Sequence, residues 1–271
     1  MKSVYHFKWT LLPSVALSEN LRKNSGYGCV VCGHPICYVA DSNKRTVASE
    51  NLEPDTLMLL CPAHFGHWNA GKSKSRKILD ALARPYNYQN KRSENIPFGI
   101  NSSEDILIKM GHGSTFWTCS GISEGAYGLI QVDEECYFGL KLIGQQLSLT
   151  FKLRDEFNNP LVSVKDNIIY YLQDTVKIFY LKNMLTVFKD TTVLFSLHYQ
   201  YPNKVVLKSG LYLVNGLQLE IKDNMISLNG SELKLSGKQK GNMNMICIGQ
   251  PEKENAAAFI QLPFIKRYLN E

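Results

Sequence analysis

No stretch of this chain reaches the ~18 consecutive apolar residues that a membrane-spanning helix needs. The first twenty residues hold a short apolar patch, Leu11 to Leu17, but Pro13 and Ser14 interrupt it and no small-residue cleavage site follows. A secretory leader and a membrane span are therefore not expected, and the expectation is a cytoplasmic protein. Low-complexity tracts are missing as well. With 44% hydrophobic and 20% charged residues, the 271-residue chain has the composition of a folded protein, either one large domain or a small domain plus a larger one. Several catalytic signatures are absent: no Gly-rich phosphate loop between a strand and a helix, no G-x-S-x-G elbow and no HExxH pair.

Acidic residues are scarce in the first third. Residues 1–92 carry 13 Lys/Arg against 6 Asp/Glu, whereas the remainder carries 17 against 18, so the net charge of +6 arises entirely near the start. Such asymmetry is expected where one part of a chain faces an acidic partner such as nucleic acid; the alternative is a solvated basic surface. The densest run is "KSKSRK", which makes Lys72, Lys74, Arg76 and Lys77 the candidate phosphate contacts.

Seven cysteines are present, an odd number that argues against a disulfide framework. Four residues have metal-ligand spacing. Cys29 and Cys32 form "CVVC", and Cys61 and His64 form "CPAH" after the apolar run "TLMLL". Two chelating pairs of this kind fit tetrahedral zinc, and a Cys₃His set closes the coordination sphere, which favours a structural over a catalytic ion. Nearby cations would offset the negative charge of three thiolates on one Zn²⁺. The competing reading is a set of buried thiols or a redox site. Cys37 is the one substitute ligand; Cys119, Cys136 and Cys247 lack metal spacing and read as core residues.

The local pattern is a short helix from Ser18 with a Ser cap, a glycine-flanked knuckle "SGYGCVVCGHP", a strand over "TLMLLC", and a helix carrying Ile78, Leu79 and Leu82 that ends against Pro85. Cys61 and His64 fall near a helix start. Knuckle, strand region and helix in this order describe a treble clef, in which one metal cross-links elements whose core is small.

"GYGCVVCGHPI", "TLMLLCPAHF" and "ILDALARPYN" resemble, in order, the motifs of a bacterial HNH endonuclease-like family whose zinc-stabilised treble clef carries a nuclease site. The resemblance covers residues 18–90, about a quarter of the chain, with "RPYN" at Arg84 to Asn87 in the place of the family's tail. It implies zinc on Cys29, Cys32, Cys61 and His64, a bacterial setting such as phage defence, and, in a nuclease, Mg²⁺ or Mn²⁺ held beside a histidine that activates water. Departures fall on the chemistry. The first catalytic histidine of the family falls at or beside Asp41, and the second falls on Phe65. Asp41 can still bind a metal; Phe65 can do neither job. Asp41, His67 and Asn69 are the residues from which a rearranged catalytic site would have to be built, and His67 and Trp68 otherwise read as surface or packing residues.

From about residue 91 to 104 the chain is polar with Pro97 and Gly99, which reads as a linker between a zinc domain, 1–90, and a β-rich domain, 105–271. Short alternating strands separated by Asn-Gly, Asp-Asn and Ser-Gly turns follow, as in "LVSVKDNIIYYL" and "GLYLVNGLQLEI". The expected class is mainly β with a small α+β zinc unit, the β part being a sandwich, a barrel or a solenoid-like stack. The end, "ENAAAFIQLPFIKRYLN", reads as a helix or a strand. His112 in "MGHGST" reads as a turn residue and His198 as a sheet-face residue.

The functional expectation is an HNH-like zinc protein that has lost nuclease chemistry and binds nucleic acid or a protein partner, with no membrane role. The alternative is a metal-dependent endonuclease with a noncanonical site.

Overall fold

Two-residue turns dictate the layout of the β-rich part. Asp166–Asn167, Lys182–Asn183, Asn215–Gly216 and Asn229–Gly230 have φ between 46° and 79° at both positions. This is the mirror-image turn whose twist matches the strands it joins, and Asn, Asp and Gly tolerate it best. Each turn closes a tight antiparallel hairpin, so consecutive strands become neighbours.

The computed structural model describes residues 15–43, 56–71, 75–89, 106–110, 117–120, 125–133, 135–143, 146–200, 202–222, 225–233, 237–240, 244–249 and 256–260. The chain divides into two compact units, Met1–Pro97 with Ile168–Tyr170, and Phe98–Asn167 with Tyr171–Glu271. The expected linker, 91–104, lies outside the described residues, as do Lys72, Lys74 and His112.

The first unit contains α1 (Val15–Asn24), the antiparallel pair β1 (Tyr38–Asp41) and β2 (Leu57–Leu60), and the helices α2 (Pro62–Asn69), α3 (Ser75–Ala83) and α4 (Tyr86–Gln89). Helix α1 begins at Val15, so Ser18 lies inside it and is not its cap. It ends in a Schellman motif: Gly26 has φ 67°, its N–H bonds the Lys23 carbonyl, and the Tyr27 N–H bonds the Arg22 carbonyl. The single helix expected after Cys61 is two. Ala70 caps α2 and Gly71 follows at φ 61°, a conformation that ends a helix, before α3 starts at Ser75. On α3, Ile78 is buried while Leu79 is 42% exposed, so the apolar face is narrower than the pattern Ile78, Leu79, Leu82 implied. All four residues of β2 are buried, together with Leu21, Val30, Ala40, Trp68 and Ile78.

The second unit holds β3 (Leu107–Met110), β4 (Trp117–Ser120), β5 (Gly125–Val132), β6 (Glu135–Ile143), β7 (Gln146–Arg154), β8 (Pro160–Lys165), the last two residues of β9 (Ile168–Leu172), β10 (Val176–Leu181), β11 (Met184–Lys189), β12 (Thr192–Gln200), β13 (Lys204–Val214), β14 (Leu217–Lys222), β15 (Met225–Leu228), β16 (Ser231–Glu232), β17 (Gly237–Lys240), β18 (Asn244–Ile248) and β19 (Ala256–Ile260). One sheet runs β19-β18-β5-β6-β7-β8-β9. The other runs β10 to β16 in sequence order, with β3 parallel to the first half of β13 and then β4 and β17 beyond it. Both sheets are open at their ends among the described residues, so no closed barrel forms. Residues 256–260 near the C terminus are strand, parallel to β18.

The two sheets pack face to face. Phe195 on β12 stacks on Phe151 of β7 at 4.8 Å and meets Phe138 of β6 edge-on at 5.6 Å, and all three are fully buried. Large rings at one level fill the gap of about 10 Å between stacked sheets.

Candidate metal centre

Backbone hydrogen bonds place the first ligand pair before any metal is invoked. The Schellman end of α1 turns the chain into the knuckle, where the Gly33 N–H bonds the Cys29 carbonyl at 2.7 Å and the Cys29 N–H bonds the His34 carbonyl at 2.9 Å. Gly33 has φ 72°, and a Cβ there would lie 2.3 Å from Oδ1 of Asn87. Both the dihedral and the contact therefore require glycine. The knuckle is tied to β2 through Leu59, whose N–H donates to Ser25 Oγ at 3.1 Å and whose carbonyl accepts from the Val30 N–H at 3.0 Å.

The second pair comes from the start of α2. Cys61 has extended backbone, φ −64° and ψ 165°, and Pro62 occupies the first helical position, where a missing N–H costs nothing. One helical turn then brings His64 over Cys61, with Nδ1 3.2 Å from the Cys61 Sγ.

Sγ of Cys29, Cys32 and Cys61 and a ring nitrogen of His64 all lie within 4.8 Å of one another. Cys32 and Cys61 Sγ are 3.8 Å apart, and His64 Nδ1 is 3.4 Å from Cys29 Sγ. With Zn–S about 2.3 Å and Zn–N about 2.0 Å, a tetrahedron has S–S edges of about 3.8 Å and S–N edges of about 3.5 Å. The donors stand at the corners of such a figure, too far apart for a disulfide bond of about 2.05 Å. These four residues can hold a metal such as zinc. No other His, Cys, Asp or Glu grouping with converging ligand atoms occurs among the described residues.

The electrostatics of the cluster suit a cation. Hydrogen bonds from the Cys32 and Cys61 thiols pull the Cys29 thiol far below its ordinary value, and the same contacts push Cys32 up. Hydrogen bonds to Cys29 and Cys61 raise His64 to about 10. A divalent cation held by Cys29, Cys32, Cys61 and His64 would require deprotonated thiols and a neutral His64 ring, so its binding would release protons.

Cys37, the expected substitute ligand, is not in the group. It is fully buried, its Sγ donates to the His34 carbonyl at 3.1 Å, and burial pushes its thiol up. His34 is held by the knuckle: its Nδ1 accepts from the Ile36 N–H at 3.2 Å, and burial lowers its basicity.

The catalytic candidates do not assemble. Asp41, at the end of β1, is 3% exposed and its Oδ1 accepts from the Asn43 N–H at 2.8 Å, capping the turn that follows. His67 is half-buried, with its ring 6.0 Å from that of His64, and Asn69 is exposed at the end of α2. Neither Asp41 nor His67 belongs to the converging group. Phe65 stacks on Tyr38 of β1 at 4.4 Å. Trp68 is buried in the core of the unit. Arg76 and Lys77 are exposed on α3.

One residue that matters was not singled out from sequence. Asn87, at the end of "RPYN", is 2% exposed; its Nδ2 donates to the Gly26 carbonyl at 2.7 Å and its side chain packs on Gly33. The Tyr86 N–H bonds the Val30 carbonyl at 2.8 Å. Helix α4 thereby clamps the knuckle from outside. A lone Asn in a Pro-Tyr-Asn string gives no sign of this, because its partners lie 61 and 54 positions earlier.

The chain matches no protein-family model, no curated protein and no solved structure.

Proposed function

We propose that the first unit is a zinc-organised, HNH-like treble clef without a hydrolytic centre, and that it binds nucleic acid through its basic surface. The observation that carries this reading is the contrast within one helical turn: His64 joins the three thiols, while the next side chain, Phe65, is spent on packing against Tyr38. The order of knuckle, β1–β2 pair and ligand-bearing α2 supports the treble clef. Zinc is the metal this donor set selects, since thiolates and one imidazole at tetrahedral spacing suit it. A phenyl ring neither activates water nor ligates Mg²⁺ or Mn²⁺, and Asp41 is buried in a local cap. The positive excess of residues 1–92 remains, with Arg76 and Lys77 exposed on α3 to meet phosphate.

Binding of labelled duplex and single-stranded oligonucleotides across a salt series tests the reading, together with cleavage assays in Mg²⁺ and Mn²⁺. Binding that weakens steeply with salt and falls on Arg76→Glu/Lys77→Glu, without cleavage, is expected. Cleavage abolished by Asp41→Ala or His67→Ala would replace it with an endonuclease using a rearranged site.

A further inference from the structure

Seven adjacent strands of the second unit, in the order β10, β11, β12, β13, β3, β4 and β17, contain seven lysines and no aspartate or glutamate. One lysine lies in each of β10, β11 and β3, and two in each of β13 and β17. Asp174 and Asp190 sit in the connections before β10 and after β11. The carboxylates of the same sheet stand on strands beyond β13, Glu220 on β14 opposite Leu211 and Glu232 on β16, so the lysine-only stretch is limited to these seven strands.

Register separates the two faces of that sheet. Phe195, Leu197, Val205, Leu207 and Ile108 are buried, on the face that meets the other sheet. On the opposite face a row of cross-strand partners runs Leu181, Met184, His198, Val206 and Lys109, from β10 to β3. Lys204 lies one pair further along, opposite Gln200, and Lys208 is exposed at the bulge of β13. At the β10 end the face is aromatic: Phe179 is 52% exposed and meets Phe188 edge-on at 5.8 Å, and Phe188 is paired with Lys177. Between the two ends this face carries Thr186, Ser196 and Val206, all three buried, so its exposed groups lie at the β10–β11 and β13–β3 ends. Lys177, Lys204 and Lys208 form no ion pair among the described residues. Partial burial, with the charges of Lys208 and Lys204 adding to it, lowers the basicity of His198.

We propose that this face binds single-stranded nucleic acid, with bases stacking at Phe179 and Phe188 and phosphates held by Lys204, Lys208 and Lys109. Sequence-tolerant binding of single strands requires aromatic faces beside a cationic track, and both are present on one surface. Four strand spacings separate the aromatic end at β10 from Lys109 on β3, a track about 19 Å wide. The inference is independent of the reading of the zinc unit.

Fluorescence anisotropy with labelled oligothymidylate and oligouridylate tests it on the full chain, from roughly 50 to 300 mM salt. Lys204→Glu/Lys208→Glu is expected to weaken binding at least tenfold and to flatten the salt dependence, and Phe179→Ala to weaken it about five- to thirtyfold. Thermal unfolding should be unchanged in both, since these side chains are on the surface. Arg76→Glu/Lys77→Glu is the control: loss only in that variant assigns binding to the zinc unit and overturns the proposal. Unchanged affinity in both sheet variants, or no binding by the parent protein, also overturns it. So does charge-sensitive binding to phosphatidylserine vesicles without binding to the oligonucleotides.

Discussion

The rings of Tyr38 and Phe65 stack with centroids 4.4 Å apart and planes 26° from parallel, joining β1 to α2 at the residue next to His64 of the candidate metal cluster. Where the resemblance to HNH nucleases leads one to expect a second histidine, the protein has a packing contact. Phe65→His should therefore not create cleavage. It should lower stability by about 1–2 kcal/mol through loss of stacking and burial. Urea unfolding with a plasmid-cleavage assay checks both; Mg²⁺-dependent cleavage by the variant would show that the site lacked only this side chain.

The four ligands should carry close to one zinc per chain by elemental analysis. Cys61→Ser should lose the metal, and chelation should unfold the first unit, whose small core depends on the cross-link. Acidification acts in the same direction, because protons compete for the thiolates and for His64. A folded first unit without metal, seen in near-ultraviolet circular dichroism, would contradict this.

Asn87→Ala removes the bond to the Gly26 carbonyl and leaves that buried group unsatisfied. A loss of about 1–3 kcal/mol is expected. Because Asn87 also buttresses Gly33, zinc affinity should fall in a competition titration with a chromophoric chelator. Unchanged stability and affinity would mean that α4 does not clamp the knuckle.

Phe195→Ala should be the costliest single truncation in the β unit, at about 3–5 kcal/mol, since it empties the centre of the contact between the sheets. Denaturant unfolding measures it directly. A loss below about 1 kcal/mol would indicate that the sheets do not depend on this cluster.

Glu135 predicts a pH dependence. Burial alone would raise its pKa, but hydrogen bonds from Lys152 (2.5 Å) and Tyr137 (2.7 Å) and the charges of Lys152 and Arg154 outweigh it, so the folded value lies below the ordinary one. The contribution is therefore present above the unfolded pKa and is lost as pH falls from the ordinary carboxylate range through the lower folded value. Glu135→Gln should flatten the stability profile in that window. The carboxylate is partly exposed, which keeps the effect small and sensitive to salt.

The sequence by itself marked the candidate metal ligands and the Asn-Gly hairpins, because both are local, whereas the expected Ser-Gly turn at Ser209–Gly210 is part of the continuous strand β13. CxxC and CxxH fix the spacing of donors within one turn, and Asn-Gly or Asp-Asn fixes the backbone of a two-residue loop wherever it occurs. Charge asymmetry is likewise a property of composition. Only the tertiary structure decided that Cys37 stays out of the cluster, that Asp41 is a buried cap, and that Asn87 closes the knuckle. It also decided that Gly71 divides what reads as one helix, since an isolated glycine is tolerated until its φ is known. The same holds for the lysine face. Lys109 and Lys204 are 95 positions apart and become neighbours through the parallel pairing of β3 with β13. Such pairing depends on which apolar surfaces bury each other across the whole chain, and no local pattern encodes it.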